Sequence, residues 1–323
     1  MPINVISAGI STTVQDLGRP GYYHLGIPMG GAMDRMALRA GNLLVGNDEG
    51  LACLECAFFG PELEFTEDTV IAITGAEMPP KIDGIPQPTW TALAIRAGQV
   101  LSFDYLQAGA RAYIAVAGGI DVPMALGSRS TYAIGSLGGV NGRAVQPGDA
   151  LPLGQSTASK PGNSLAAELR RLPTDDTLLR ILPGLYSHRL TAQSLDGFFA
   201  DRWRVANEAD RMGYRFQGGK PLEFVAQEQP FGAGSDPSNI TDACYPYGSV
   251  QVPSGAEPII LHRDAVSGGG YFMLGTVISA DMDLIGQLQP NTHIRFEKVD
   301  MAMALEARAA RRTHMETIRA ALR

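Results

Sequence analysis

The chain has 323 residues, 45% apolar and 18% charged, with a net charge of −7. It is too apolar for disorder, long enough for two domains, and lacks the basic field that sequence-independent nucleic-acid binding needs. Three cysteines are too few for a disulfide framework at this length, and an odd count fits a reducing compartment.

No apolar run approaches the ~18 residues that cross a bilayer, and Met1-Pro2-Ile3-Asn4 has no signal-peptide character, so a cytoplasmic protein with no membrane partner is expected. The 38 glycines and 21 prolines break regular structure often and predict short strands joined by turns. Of the 26 basic residues only Lys81, Lys160, Lys220 and Lys298 are lysines. The rest are arginines, the better grip on carboxylate or phosphate.

The turn-rich opening, Thr12 to Tyr22, gathers Gln15, Asp16 and Arg19 among glycines that let a backbone approach a ligand closely. Arg19 could clamp an anion with Asp16 and Gln15 orienting it; an Asp–Arg pair that merely holds a turn fits the same spacing. Asp34 is placed to cap a helix with Met36, Leu38, Ala40, Leu43 and Leu44 as its apolar stripe, and Gly46 to end it in left-handed conformation. Cys53 and Cys56 would point to opposite faces of a strand and read as buried small hydrophobes rather than a metal or redox pair.

The runs 69–74, 92–96, 100–103 and 111–117, punctuated by glycine, predict an all-β sandwich or barrel. Gly127-Ser128-Arg129-Ser130-Thr131 then offers hydroxyls and a guanidinium, either for an anion nest or for a turn held by its own side chains.

The polar run 154–164 has linker composition. The predicted organisation is a β-domain over 1–155, a linker over 156–177 with a short helix at 165–172, a β-domain over 178–300 and a C-terminal helix over 301–323. Leu305, Ala309, Ile318 and Leu322 mark that helix. A weak repeat joins the halves: Gly18-Arg19-Pro20-Gly21-Tyr22 and Asp210-Arg211-Met212-Gly213-Tyr214 lie at nearly the same offset as the strands of Phe103 and Phe296, as duplication would produce.

Gly213 to Pro221 looks superficially like a phosphate loop, but Tyr214 stands where the first glycine belongs and Pro221 where Ser or Thr belongs. The strand 258–261 delivers His262, Arg263 and Asp264 to the loop Gly268-Gly269-Gly270-Tyr271, with Asp281 and Asp283 following. A pocket rim and an ordinary hairpin with solvated charges both fit. The five histidines show no metal spacing, and no lysine sits beside a methionine as in a biotin carrier.

Taken together, Thr13-Val14-Gln15-Asp16-Leu17-Gly18-Arg19, Asn42 to Asn47, Leu54-Glu55, Val116 to Pro123 and Arg211-Met212-Gly213 resemble the allophanate hydrolase subunit 2-like family over nearly the whole chain. That family includes the C subunit of 5-oxoprolinase and half of the urea carboxylase carboxyltransferase domain. The resemblance implies a mainly β fold of two cyclophilin-like β-barrels with a few helices. It implies a partner of the 5-oxoprolinase B type and another of the A type, and ATP with Mg bound by or shared with those partners. The implied reaction opens a cyclic amide, 5-oxoproline to glutamate.

Under that reading Gln15, Asp16 and Arg19 are the expected catalytic residues, and Ser128, Arg211, Gln251, Asp264 and Tyr271 the expected substrate-binding ones. No metal ligands and no covalently attached biotin are expected. Two alternatives stand beside it: a carboxyltransferase component of a biotin-dependent urea-type carboxylase, and a non-catalytic regulatory protein that binds a kinase-inhibitor-like partner. Ser267-Gly268-Gly269-Gly270-Tyr271-Phe272 departs from the family's Thr-Thr-Gly-Gly-Tyr-Pro, which would alter polarity at Gly268 and rigidity at Phe272.

Overall fold

The computed structural model describes residues 2–156, 161–229 and 231–322; residues 157–160 of the expected linker lie outside them. The chain divides into two units, one of Met1–Pro20, Met29–Leu172 and Thr313–Arg323, the other of Gly21–Pro28 and Pro173–Arg312. The expected linker contributes Asn163 and Leu165 to the first unit: Ala92 N–H donates to the Asn163 carbonyl, and Leu165 N–H to that of Trp90. Instead of a helix at 165–172 there is one 3-10 turn, Ala167–Leu169, because the Arg170 guanidinium folds back onto the Leu165 carbonyl at 2.7 and 3.0 Å and Pro173 stops the chain.

In the first unit the strands are β1 (Pro2–Ser7), β2 (Ser11–Gln15), β3 (Cys53–Ala57), β4 (Glu62–Phe65), β5 (Thr69–Glu77), β6 (Pro80–Ile82), β7 (Ile85–Pro86), β8 (Ala92–Ile95), β9 (Val100–Phe103), β10 (Ala108–Val116) and β11 (Ala150–Pro152). They pair as a six-stranded sheet, β11-β1-β4-β9-β6-β7, and a five-stranded sheet, β2-β3-β10-β5-β8. Ile3, Leu63, Phe65 and Leu101 of the first sheet share one core with Val14, Leu54, Ile73 and Ile114 of the second.

The outer face of the five-stranded sheet is covered too. Cys53, Ala72 and Tyr113 pack with Met36, Leu38 and Leu44 of helix α1 (Arg35–Leu44) and with Met315, Ile318 and Leu322 near the C-terminus. Burial on both faces explains why β5 and β10 are almost continuously apolar. It also seats Cys56 in one core and Cys53 in the other, as strand alternation predicts. Asp34 caps α1 by accepting from Ala37 N–H at 2.9 Å, and Gly46 ends it at φ +72°.

The second unit holds β12 (Thr177–Pro183), α2 (Ala192–Ala200), β13 (Arg202–Ala209), β14 (Gly213–Gln217), β15 (Asn239–Cys244), β16 (Ser249–Gln251), β17 (Ile259–Leu261), β18 (Gly268–Tyr271), β19 (Met273–Val277), α3 (Met282–Ile285) and β20 (His293–Lys298), with α4 (Met301–Ala321) following. Seven of these strands close a barrel, β12-β19-β16-β17-β14-β13-β20, in which β12 and β20 run parallel. Alternation turns Trp203, Val205, Tyr214, Phe216, Ile294 and Phe296 inward as buried residues, and Phe198 of α2 stacks on Phe296 at 5.0 Å. Strands β15 and β18 form a separate two-stranded sheet. Phe272 is buried and meets Phe224 edge-to-face at 5.1 Å.

Two expectations change. Helix α4 forms, but its buried stripe runs through Ala307, Met315, Ile318 and Leu322, while Leu305 and Ala309 are exposed. Arg311 occupies the intervening turn of the stripe and pairs with Asp283, and a polar residue there hid the register. The matched arginines of the repeat also occupy different structures. Arg19 lies in the loop after β2, whereas Arg211 sits in the β13–β14 hairpin turn, where Asp210 Oδ1 accepts from Met212 and Gly213 N–H at 2.7 and 3.1 Å. Among the described residues no helix is long and apolar enough to cross a membrane.

Candidate functional site

The structure brings Gln15, Asp16, Arg19 and Ser128 together in the first unit, and their bonds turn inward. Asp16 Oδ1 accepts from Gly18 N–H at 2.7 Å, Ser128 Oγ at 2.6 Å and Ser130 Oγ at 2.5 Å, and Oδ2 accepts from Arg129 N–H at 2.6 Å. A carboxylate offers about four acceptor positions, two on each oxygen; the protein places three donors on Oδ1 and one on Oδ2.

Gln15 Nε2 donates to Thr13 Oγ1 at 3.0 Å and to the Thr131 carbonyl at 3.1 Å. Arg19 is 1% exposed and donates to the carbonyls of Ala125 and Ser130. The polar density at this glycine turn therefore fastens the loop 125–131 to β2. Asp16 orients that loop, and Arg19, expected to clamp an anion, is buried against main-chain oxygens. Of the two readings of the serine-rich turn, the one held by its own side chains is what the bonds describe.

A second buried network in this unit was not foreseen. Glu55 Oε2 accepts from Met33 N–H at 2.8 Å and from the Tyr113 hydroxyl at 2.7 Å, and that hydroxyl accepts from Asp34 N–H at 2.7 Å. Burial, reinforced by the charges of Glu55 and Asp34, holds the Tyr113 phenol well above its ordinary pKa. The network anchors the start of α1.

An open cavity lies in the second unit. A cavity of about 550 Å³ is bordered by Asp210, Met212, Gly213 and Arg215 of the β13–β14 hairpin, by Gln251, Ile259 and Leu261, and by Ala265 and Val266. Its volume is in the range of small-molecule sites. Because Tyr214 and Phe216 point into the barrel, Gly213 and Arg215 face outward, so the cavity lies on the barrel's outer wall.

Gln251, 6% exposed and one of the residues expected to bind substrate, lines it. The other three candidates in this half do not. Arg211 and Asp264 lock one another, Nε to Oδ2 at 2.7 Å and Nη2 to Oδ1 at 3.1 Å, while Asp264 N–H donates to the Arg211 carbonyl at 2.9 Å. Tyr271 is about half exposed on β18, with its main-chain N–H and C=O both bonded to the Tyr245 hydroxyl, at 2.7 and 2.8 Å. Burial raises the pKa of the Tyr245 phenol, opposed by hydrogen bonds with Tyr271 and with the Gln251 side chain.

Asp281 is paired with Arg180 and Asp283 with Arg311, and neither borders this cavity. Arg215 borders the cavity but was not among the residues singled out from the sequence. Its signal was alternation: a charged residue between two aromatic ones in a strand belongs on the outer face.

This architecture is that of the family "Carboxyltransferase domain, subdomain A and B", which matches residues 25–298; the chain belongs to that family. Within it, the chain is 36% identical over 316 residues to the C subunit of 5-oxoprolinase from Escherichia coli (strain K12), covering 98% of this chain and 97% of that protein. It is 34% identical over 327 residues to the urea amidolyase of Lachancea kluyveri, covering 97% of this chain and 18% of that protein. It superposes on the crystal structure of the K. lactis urea amidolyase with a TM-score of 0.92 at 31% identity, covering 98% of this chain and 20% of that one. The chain thus corresponds to about a fifth of the urea amidolyases and to nearly all of the 5-oxoprolinase C subunit.

Proposed function

We propose that this chain is the C-type subunit of a cytoplasmic, ATP-dependent complex that opens a cyclic amide, 5-oxoproline to glutamate, together with B-type and A-type partners. The correspondence with the C subunit of 5-oxoprolinase over 97% of that protein carries the reading. A lactam carbonyl is poorly reactive, and its opening requires donors at the oxygen where negative charge develops. Gln251, nearly buried at the cavity wall, gives one carboxamide N–H to the Tyr245 hydroxyl and has a second for that purpose, and the apolar Ile259 and Leu261 keep water from one side.

The segment that looked like a phosphate loop begins as strand β14. A strand turns its N–H groups alternately to its neighbours and cannot cradle phosphates, so that segment is no phosphate loop, and the proposal keeps ATP with Mg bound by or shared with the partner subunits. The test is co-purification with the B-type and A-type chains followed by an assay of 5-oxoproline-stimulated ATP hydrolysis. Stimulation that requires this chain supports the proposal, and its absence from the assembled complex overturns it.

A second reading, transfer of a carboxyl group from a biotin carrier supplied by another chain to a urea-type acceptor, is favoured by the TM-score of 0.92 against urea amidolyase. Urea-dependent turnover with a biotinylated carrier selects it. Tight partner binding with neither turnover selects a regulatory role.

A further inference from the structure

We infer that Arg215 is the specificity-determining residue of the second-unit cavity, selecting amides that carry a carboxylate over neutral ones. This rests on the reading above in taking that cavity as the substrate site. Strand register places Arg215 opposite Ile259 on one side and Gln251 opposite Ile259 on the other, so the three stand at one level on β14, β17 and β16. Residues directly opposite in a sheet share a face.

With strands about 4.8 Å apart, Arg215 and Gln251 flank a slot roughly 10 Å across between their backbones. Ile259 forms its floor, and all three residues line the cavity. A compact ring bearing an amide at one end and a carboxylate at the other matches this arrangement, with amide at Gln251 and carboxylate at Arg215.

Arg215 is also prepared for the task. Its Nη1 donates to Glu257 Oε2 at 2.7 Å, and Gln217 Nε2 donates to Glu257 Oε1 at 2.9 Å, so Glu257 is a positioning residue. A guanidinium has five N–H donors, and the remaining ones on this partly exposed side chain are available to a ligand. Arg211, by contrast, is committed to Asp264 through two bonds. Glu208 and Asp210 also border the cavity, but Asp210 Oδ1 accepts from its own turn, and Glu208 is exposed, where solvent screens its charge.

The test is calorimetric titration of the full chain with 5-oxoproline and with 2-pyrrolidinone, the same lactam without the carboxylate. The native chain should prefer 5-oxoproline by about ten- to hundredfold. Arg215→Gln should bring the two ligands within about threefold, Arg215→Lys should restore part of the preference, and Glu257→Gln should weaken it. Circular dichroism checks that each variant is folded.

A preference that persists in Arg215→Gln, or a native chain that shows none or binds neither ligand, overturns the inference. ATP hydrolysis by the assembled complex is read separately. Arg215-dependent preference without 5-oxoproline-stimulated hydrolysis defeats the proposed function and leaves the selectivity standing; hydrolysis without the preference does the reverse.

Discussion

The Asp16 cluster of the first unit and the Arg215 cavity of the second have nearly the same ingredients: a turn, a glycine, a carboxylate, an arginine and a carboxamide. They differ in what the polar atoms face. Asp16 spends its acceptor capacity on Gly18, Ser128, Arg129 and Ser130, and Arg19 is buried against carbonyls. Arg215 keeps donors open beside a cavity that Gln251 also lines. Polar density at a glycine turn therefore identifies a place where the chain needs hydrogen bonds, and only the surroundings decide whether protein or ligand supplies them.

The contrast breaks most visibly under Asp16→Ala. Removing the acceptor strands two hydroxyls and two N–H groups, and the chain should lose about 3–5 kcal/mol in urea denaturation while its affinity for a small lactam acid stays within twofold. A loss below about 1 kcal/mol contradicts the sealed reading.

Alkali offers a second probe. Burial pushes the Cys56 thiol up to about 12 from an ordinary 9.0, and Cys53 is raised further for the same reason. A raised folded-state pKa means that the unfolded chain deprotonates first, so stability is complete below about pH 9. It then falls by about 1.4 kcal/mol per pH unit for each thiol, continuing to about pH 12 for Cys56. Replacing both by alanine should flatten that limb, and in the native state a thiol reagent should modify Cys244, which is exposed, and spare the buried pair.

Asp264→Asn sharpens the comparison within the second unit, because it breaks the two-point grip on Arg211. It should cost about 1–2 kcal/mol and change lactam affinity little. Arg215→Gln has the smallest expected effect on stability, within about 0.5 kcal/mol for a partly exposed pair, although it should have the largest effect on ligand preference.

Local features were legible in the sequence because local rules decide them. Asp34 and Gly46 bracket α1, Cys53 and Cys56 face opposite cores, and glycine-punctuated apolar runs became strands. Long-range closure was not legible. Nothing in the spacing of Asp16 announces that Ser128 and Ser130 will fold onto it, so a carboxylate with four protein donors could not be told from one without them. The assignment of Gly21–Pro28 to the second unit is invisible for the same reason, since it depends on contacts far along the chain. Gln251 entered with the family resemblance, whereas Arg215 was passed over because a lone arginine inside a strand carries no motif.

The most direct test is amide chemical-shift mapping of the isotopically labelled chain titrated with 5-oxoproline. Saturable shifts concentrated at Gly213, Arg215, Gln251 and Ile259, with Gln15 to Arg19 and Ser128 to Thr131 unmoved, are the predicted result. Shifts concentrated at Gln15 to Arg19 and Ser128 to Thr131, with the barrel wall silent, would contradict it.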